Sequence, residues 1–227
     1  MNSIKVSILI PIYNGVEFYK ECIESVKLQD FQDFQIIIGV NGHPQNSDTY
    51  KSVLNQTKET FIDNANKMDI LILDLHWITG KSNALNIMTK HAKHDWVSLL
   101  DVDDYWMPSK LSLQIKYTEN YDVIGTNCQY FGDTNGSPKL PMGDLEKFNF
   151  FDYNPIINSS CLIKKELAVW DSTVYVEDYD LWLKLKKQNK KFFNVQNAIT
   201  MHRIHNKSAF NSKGNHLMVN IIKQKYS

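Results

Sequence analysis

Three carboxylates, Asp101, Asp103 and Asp104, close the apolar run in VSLLDVDDYWMP (97–108). Like charges packed together need a cation, a shared proton or abundant water around them. A hard divalent ion takes oxygen ligands, and Mg2+ or Mn2+ commonly binds one or two carboxylates together with the phosphates of a substrate. Side chains repeat every second residue along a strand, so Asp101 and Asp103 share a face if extended geometry persists to residue 103. Asp104 is then expected to point away and cap the turn into a helix beginning at Pro108. A solvated turn is the plainer reading of an isolated DxD, whereas a position after a buried strand favours a site for a metal and a diphosphate.

A second acidic cluster, Glu177, Asp178 and Asp180 in VEDYDLWLKLKK (176–187), falls at a helix start. Carboxylates there complement the helix dipole, while Leu181, Trp182 and Leu185 form a buried stripe. The dipole accounts for two of the three. The other is a candidate general base, provided it faces a cleft and burial tunes its proton affinity. In MHRIHNKS (201–208), His202 and His205 are three apart with no third ligand at zinc spacing, so a dedicated zinc site is not expected. One of them can supplement an oxygen-bound metal, with Arg203 or Lys207 near phosphates.

These residues need a scaffold. Near-continuous apolar runs at 6–13, 34–40, 69–75, 96–102 and 122–131 read as strands, and the segments 16–29, 47–66, 82–93 and 108–120 between them have helical period. Strand alternating with helix predicts a mostly parallel sheet covered on both faces, with ligands at the carboxyl ends of its strands. Asp101 and Asp103 fall at such an end. The turn-rich GDTNGSPKLPMGD (132–144) reads as a long loop between two halves of one domain. Beyond it, SSCLIKK and KFFNVQNAITMHRIH read as shorter strands flanking a helix that begins near Glu177.

The 227 residues, 43% of them hydrophobic, suffice for one core. The formal charge is zero, which argues against disorder and against a uniformly basic nucleic-acid binder. Yet residues 184–227 hold nine Lys and one Arg and no acid, leaving 15 basic and 25 acidic residues before them, a division of +10 against −10. Such asymmetry fits an anion-handling surface, a patch for anionic lipid, or a solvated helix. Cys22, Cys128 and Cys161 lie in no metal-ligand spacing and read as reduced and buried. No run reaches ~18 apolar residues, so a cytoplasmic location is expected. In 215–227 the apolar positions 217, 218, 221 and 222 recur at helical spacing beside Lys223 and Lys225. Packing onto the domain is the first expectation for this segment. Peripheral contact with the cytoplasmic membrane face, or with a second copy in a homo-oligomer, is the second.

Taken together and in this order, VSILIPIYNG (6–15), GKSNALN (80–86), LLDVDDYWMPSKL (99–111), EDYDLWLKL (177–185) and HRIHNKS (202–208) resemble the family-2 glycosyltransferases. These are inverting nucleotide-sugar enzymes of the GT-A fold. The resemblance implies an α/β GT-A architecture: a mostly parallel central sheet flanked by helices, with a short antiparallel element near the C-terminal half. Residues 1–110 would be the nucleotide-sugar half and 111–227 the acceptor half of a single domain. It also implies Mn2+ or Mg2+ as cofactor, with Asp103, Asp101 and His205 at the metal and Asp101 also on the ribose-diphosphate side. Asp178 looks like the base that deprotonates the acceptor hydroxyl. Pro11, Tyr13 and Asn14 would border the nucleotide, Lys81 and Asn86 would approach the diphosphate and sugar, Arg203 would hold the same anion, and Trp106 would line the acceptor side. Where the family usually carries an acid after its second strand, IIIGVNGHP puts Asn41, whose amide can still pair with a base edge. A UDP-sugar is the default donor, and a hydroxyl of a glycan or other molecule the acceptor.

Rival chemistries fit less well. The GKS at 80–82 lacks the earlier glycine of a P-loop, having Leu75 in its place. An aspartyl phosphatase would carry its acid pair after the first strand. A nucleotide-sugar-binding module of the same fold without turnover stays open as the alternative, although all three acidic positions needed for chemistry are present.

Overall fold

The computed structural model describes residues 4–64, 68–206 and 215–227. Strands β1 (Val6–Ile12) and β2 (Phe34–Asn41) are buried along their whole length, as expected of inner strands covered on both faces. In parallel register, β1 lies between β2 and β4 (Trp96–Leu99), and β2 pairs outward with β3 (Asp69–Leu75). Edge strand β3 is mostly half-buried and carries Asp69 and Asp74, charges that discourage pairing with another chain. The parallel connections run through α1 (Tyr19–Lys27), α2 (Asp48–Thr60) and α3 (Lys81–His91). Helix α1 buries Tyr19, Cys22, Ile23 and Val26, one stripe at helical spacing, and Ser47 caps α2 by accepting the Tyr50 N–H at 3.2 Å.

The other half contributes β5 (Tyr105–Trp106), β6 (Val123–Gly132), β7 (Gly143–Asp144), β8 (Leu162–Lys164) and β9 (Phe192–Ile204). The described residues form one nine-stranded sheet in the order β3-β2-β1-β4-β8-β6-β9-β5, with β7 also on β9. Strand β8 is antiparallel to both β4 and β6, and β5 and β7 are antiparallel to β9. The expected short antiparallel element is therefore present. One expected short strand is instead long: β9 spans 13 residues and runs parallel to β6 along its whole length, its end lying beside the acidic turn. The helix expected over 108–120 is shorter, α4 (Lys110–Gln114) followed by a 3-10 turn at Ile115–Tyr117. Pro108 lies outside it, its carbonyl accepting the Asp30 N–H at 2.9 Å.

Helices α5 (Glu177–Lys187) and α6 (Asn215–Tyr226) complete the chain. Ile222 is fully buried and Met218 and Tyr226 pack on the core, so α6 lies on the domain, with Leu217 and Ile221 facing outward. None of the described helices is long and apolar enough to cross a membrane. The three cysteines are buried and free.

Behind the acidic turn lies a buried polar layer. Lys110 is 0% exposed; its Nζ donates to Ser98 Oγ at 2.6 Å and sits 3.7 Å from the centroid of the Trp106 ring. Trp106 itself is buried, with Nε1 donating to the Ser159 carbonyl at 2.7 Å, so it buttresses the turn and does not line an acceptor surface. No carboxylate among the described residues pairs with Lys110, and burial pushes its ammonium well below the usual lysine range. A depressed folded value means that the unfolded chain binds the proton more tightly, so burial of Lys110 costs stability at neutral pH and less as pH rises toward ~10. Lys110→Met is therefore expected to raise unfolding free energy by about 1–3 kcal/mol at pH 7. Urea titrations at pH 7 and pH 10 check this, the gain shrinking at the higher pH.

Candidate active site

The carboxyl ends of β1, β2 and β4 open onto a cleft of about 520 Å³. Pro11, Tyr13 and Asn14 line it from the end of β1, Asn41 from β2, Lys81 from the start of α3, and Asp101 and Asp103 from the turn after β4. His202 and His205 reach it from the end of β9. Gly42 is required here: its φ is +72°, and a Cβ would stand 2.7 Å from the Tyr13 ring.

The acidic residues are aimed by a turn and not by strand alternation. Strand β4 stops at Leu99, and the Asp104 N–H donates to the Asp101 carbonyl at 3.0 Å. Asp101 and Asp103 still share the cleft. Asp104 does point away, but it caps no helix. It is 1% exposed; Oδ1 accepts the Arg203 N–H at 2.8 Å, and Oδ2 pairs with His202 Nδ1 at 2.9 Å. Burial would lower the His202 imidazolium, but Asp104 outweighs it and raises the ring to about 9.

Gly80, at φ +82°, lets the chain turn sharply into α3, and the next residue projects Lys81 into the site. Lys81 Nζ lies 2.7 Å from Asp101 Oδ1 and 3.3 Å from Glu177 Oε1. Asn158 Nδ2 donates to both Asp101 oxygens at 3.3 and 3.2 Å, and the Asp101 N–H donates to Ser159 Oγ at 3.1 Å. Burial alone would raise the Asp101 carboxyl, yet Lys81 and Asn158 hold it below the ordinary range. Burial likewise opposes the Lys81 ammonium, and Asp101 and Glu177 keep it above. Asp103 is raised, first by burial and then by its neighbours Asp104 and Asp101, with His205 Nε2 at 3.0 Å from Oδ2 opposing the shift.

Asp178, partly buried at the start of α5, accepts from Asn154 Nδ2 at 2.8 Å. Burial, and then the charge of Glu177, push it up to about 6. It stands next to Glu177, whose contact with Lys81 ties this helix start to Asp101. Asp180 has a third fate, buried against Lys225 Nζ of α6 at 2.9 Å.

Two expected binding residues lie elsewhere. Asn86 follows Lys81 by five residues, about 140° around the helix axis, and so leaves the cleft. Its Nδ2 donates to the Trp170 carbonyl at 2.8 Å, and its Oδ1 accepts the Trp170 N–H at 3.0 Å. The Arg203 guanidinium braces the outside of the turn: Nε donates to the Asp103 carbonyl at 2.9 Å, another nitrogen pairs with Glu21, and the plane lies 4.5 and 4.3 Å from the Phe18 and Phe131 rings. Lys207 is outside the described residues. Glu177 stands out in the sequence only as part of an acidic cluster, and nothing there marks Asn154 or Asn158, which sit in a loop and at the start of a short 3-10 turn with no periodic signal.

No group of three or more His, Cys, Asp or Glu among the described residues is arranged to hold a metal alone. Asp103 and His205 nevertheless suit a Mg2+- or Mn2+-type ion, because such ions draw most of their ligands from water and substrate phosphates.

A family model described as glycosyl transferase family 2 matches residues 7–218. An uncharacterized glycosyltransferase of Methanocaldococcus jannaschii is 27% identical over 92% of this chain and 73% of its own length. The Escherichia coli UDP-Glc:alpha-D-GlcNAc-diphosphoundecaprenol beta-1,3-glucosyltransferase WfaP is 27% identical over 88% of this chain and 77% of its length. Among solved structures, S. aureus TarS 1–349 with UDP-GlcNAc superposes with TM-score 0.71 at 17% identity, over 98% of this chain and 66% of that one. The mannosyltransferase PcManGT from Pyrobaculum calidifontis, with GDP-Man and Mn2+, gives TM-score 0.67 at 14% identity over 90% of this chain and 58% of that one. The chain thus spans just under two thirds, or less, of these solved chains. The architecture is the GT-A fold, and the chain belongs to glycosyl transferase family 2.

Proposed function

We propose that the protein is a metal-dependent, inverting glycosyltransferase that moves a sugar from a nucleotide diphosphate, by default UDP, to a hydroxyl of a glycan or other acceptor. The observation that carries this reading is the Lys81 contact with both Asp101 and Glu177, which gathers the cleft acids and the start of α5 at one corner. The names of similar proteins support it: the E. coli relative is named for UDP-Glc, and the solved neighbours are described with UDP-GlcNAc and with GDP-Man and Mn2+.

In this reading Pro11, Tyr13 and Asn14 border the nucleotide, and the Asn41 amide pairs with a base edge. Asp103 and His205, with Asp101, would hold Mn2+ or Mg2+, which when bound supplies positive charge to neutralise the departing diphosphate. Asp178 takes the proton of the acceptor hydroxyl as that oxygen attacks the anomeric carbon opposite the diphosphate. The new carbon–oxygen bond forms while the bond to the diphosphate breaks, and configuration inverts. A base near 6 is a carboxylate at neutral pH and still basic enough to accept the proton.

Incubation with a panel of nucleotide sugars, Mn2+ and candidate acceptors tests transfer through nucleoside diphosphate release. Asp178→Asn is expected to lower release by about 10²–10⁴-fold while donor affinity survives. Its raised folded value makes Asp178 cost stability as pH climbs from ~4 through 6, so the same variant should unfold about 1–2 kcal/mol later at pH 7. Wild-type release should fall as pH drops below about 6. Donor binding without release under every acceptor condition would favour a binding module. For the metal, Asp103→Ala is expected to weaken donor binding in Mn2+ to the level measured in chelator; unchanged affinity in both solutions would remove Asp103 from the metal site.

A further inference from the structure

The loop that leads into the 3-10 turn at Asn158–Ser160 runs along one face of α5 and is pinned at three consecutive residues. Asn154 Nδ2 donates to Asp178 Oδ2 at 2.8 Å, and one turn further along the helix Trp182 Nε1 donates to the Ile156 carbonyl at 3.2 Å. Residues four apart share a helix face, so both bonds grip the same side of α5. Between them the Pro155 carbonyl accepts Asn194 Nδ2 of β9 at 2.8 Å, and Ile156 is fully buried. The Asn154 amide is itself fixed, because its Oδ1 accepts the Ile156 N–H at 3.2 Å and Nδ2 is thereby turned to the carboxylate.

The other groups that face Asp178 act on it through charge. Glu177 on the same helix opposes its ionisation, Lys81 from the start of α3 favours it, and the Cys161 thiol ahead of β8 is raised by burial and stays neutral. Lys81 Nζ is engaged by Asp101 and Glu177, so among the described residues Asn154 is the side chain that donates to this carboxylate, with the Tyr179 N–H as a backbone contact. An ionised carboxylate offers about four lone-pair sites; two donors leave the rest for an incoming hydroxyl and restrain rotation of the group. We propose that Asn154 is a positioning residue for the general base, its amide holding the Asp178 carboxylate in the rotation that meets the acceptor hydroxyl. The inference rests on the reading of Asp178 as that base and adds the residue that aims it. A donor to the charged form also favours ionisation, so its loss raises the proton affinity of Asp178 beyond what burial does.

The test compares wild type with Asn154→Leu, which keeps a branched side chain of similar size without a donor, and Asn154→Gln, which keeps the amide. Nucleoside diphosphate release is followed from about pH 5 to 9 with Mn2+, saturating donor and acceptor. Asn154→Leu is expected to lower kcat about tenfold on the alkaline plateau and to move the acid limb up by about one pH unit, with the donor KM unchanged and partial recovery in Asn154→Gln. A lower plateau with an unmoved acid limb would mean that Asn154 only shapes the loop, and would overturn the proposal. So would a plateau that recovers in full, an altered donor KM, or no change at all. A measurement on wild type alone needs no folded variant: the Asn154 side-chain 15N–1H resonances should titrate together with the Asp178 carboxyl 13C resonance, near 6. Amide resonances indifferent to that titration would overturn the proposal. Active wild type, impaired Asp178→Asn and an indifferent Asn154→Leu would overturn this inference alone. Full release by Asp178→Asn, or no release by wild type with any donor and acceptor, would overturn it together with the parent reading.

Discussion

A single ammonium, that of Lys81, stands between Asp101 on the turn after β4 and Glu177 at the first residue of α5. Each of the three is fixed by its own backbone: Lys81 by the left-handed Gly80, Asp101 by the hydrogen-bonded turn, Glu177 by the helix it begins. Without the cation, Asp101, Glu177 and Asp178 would be like charges at one corner, and the cleft would open toward protonation or water. With it, the Asp101 carboxyl is held below the ordinary range, while burial and then the charge of Glu177 push Asp178 up to about 6 against the opposing ammonium. Neighbouring carboxylates thus have opposite tendencies, one set by its cation and the other by burial.

The same logic explains why three acids within four residues are tolerated. Asp101 has Lys81, Asp103 has His205, and Asp104 has His202 with the Arg203 N–H. Of these partners, His202 and the Arg203 N–H belong to β9 and His205 directly follows it, and the last residues of the strand are bound to the turn through Asp104 and the Arg203 side chain. Strand β9 thus carries the anchor, and the residue just past its end is the imidazole that faces Asp103.

Much of this was legible in the sequence because burial and charge leave periodic traces. The inner strands are unbroken apolar runs, the start of α5 is an acidic cluster before an apolar stripe, and the acidic turn interrupts a buried strand. The errors came where a partner is distant in sequence. The role of Asp104 depends on a strand a hundred residues away, which no local pattern encodes. The resemblance places Asn86 at the diphosphate and sugar, whereas the helix turns it toward Trp170. The resemblance places Trp106 on the acceptor side, whereas its indole N–H is spent inside on Ser159. Asn154 in a loop and Asn158 at the start of a short 3-10 turn leave no trace of this kind, since a short polar residue outside the long periodic elements has many possible partners and no periodicity to choose among them.

The charge division between the two parts of the chain resolves by the same pairing. Lys225 crosses from α6 to Asp171 and Asp180, Arg203 reaches Glu21, and Lys186 donates to the carbonyls of Leu145 and Glu146 at 2.9 and 2.7 Å. Much of the basic segment is thus engaged within the fold and binds the C-terminal elements to the acidic part. Helix α5 shows how little this costs: its acids occupy the first turn and Lys184, Lys186 and Lys187 the last, so both ends complement the helix dipole. Because the N-terminal end of a helix is where carboxylates are favoured, Glu177 and Asp178 reach the corner beside Lys81 from positions that stabilise the helix presenting them.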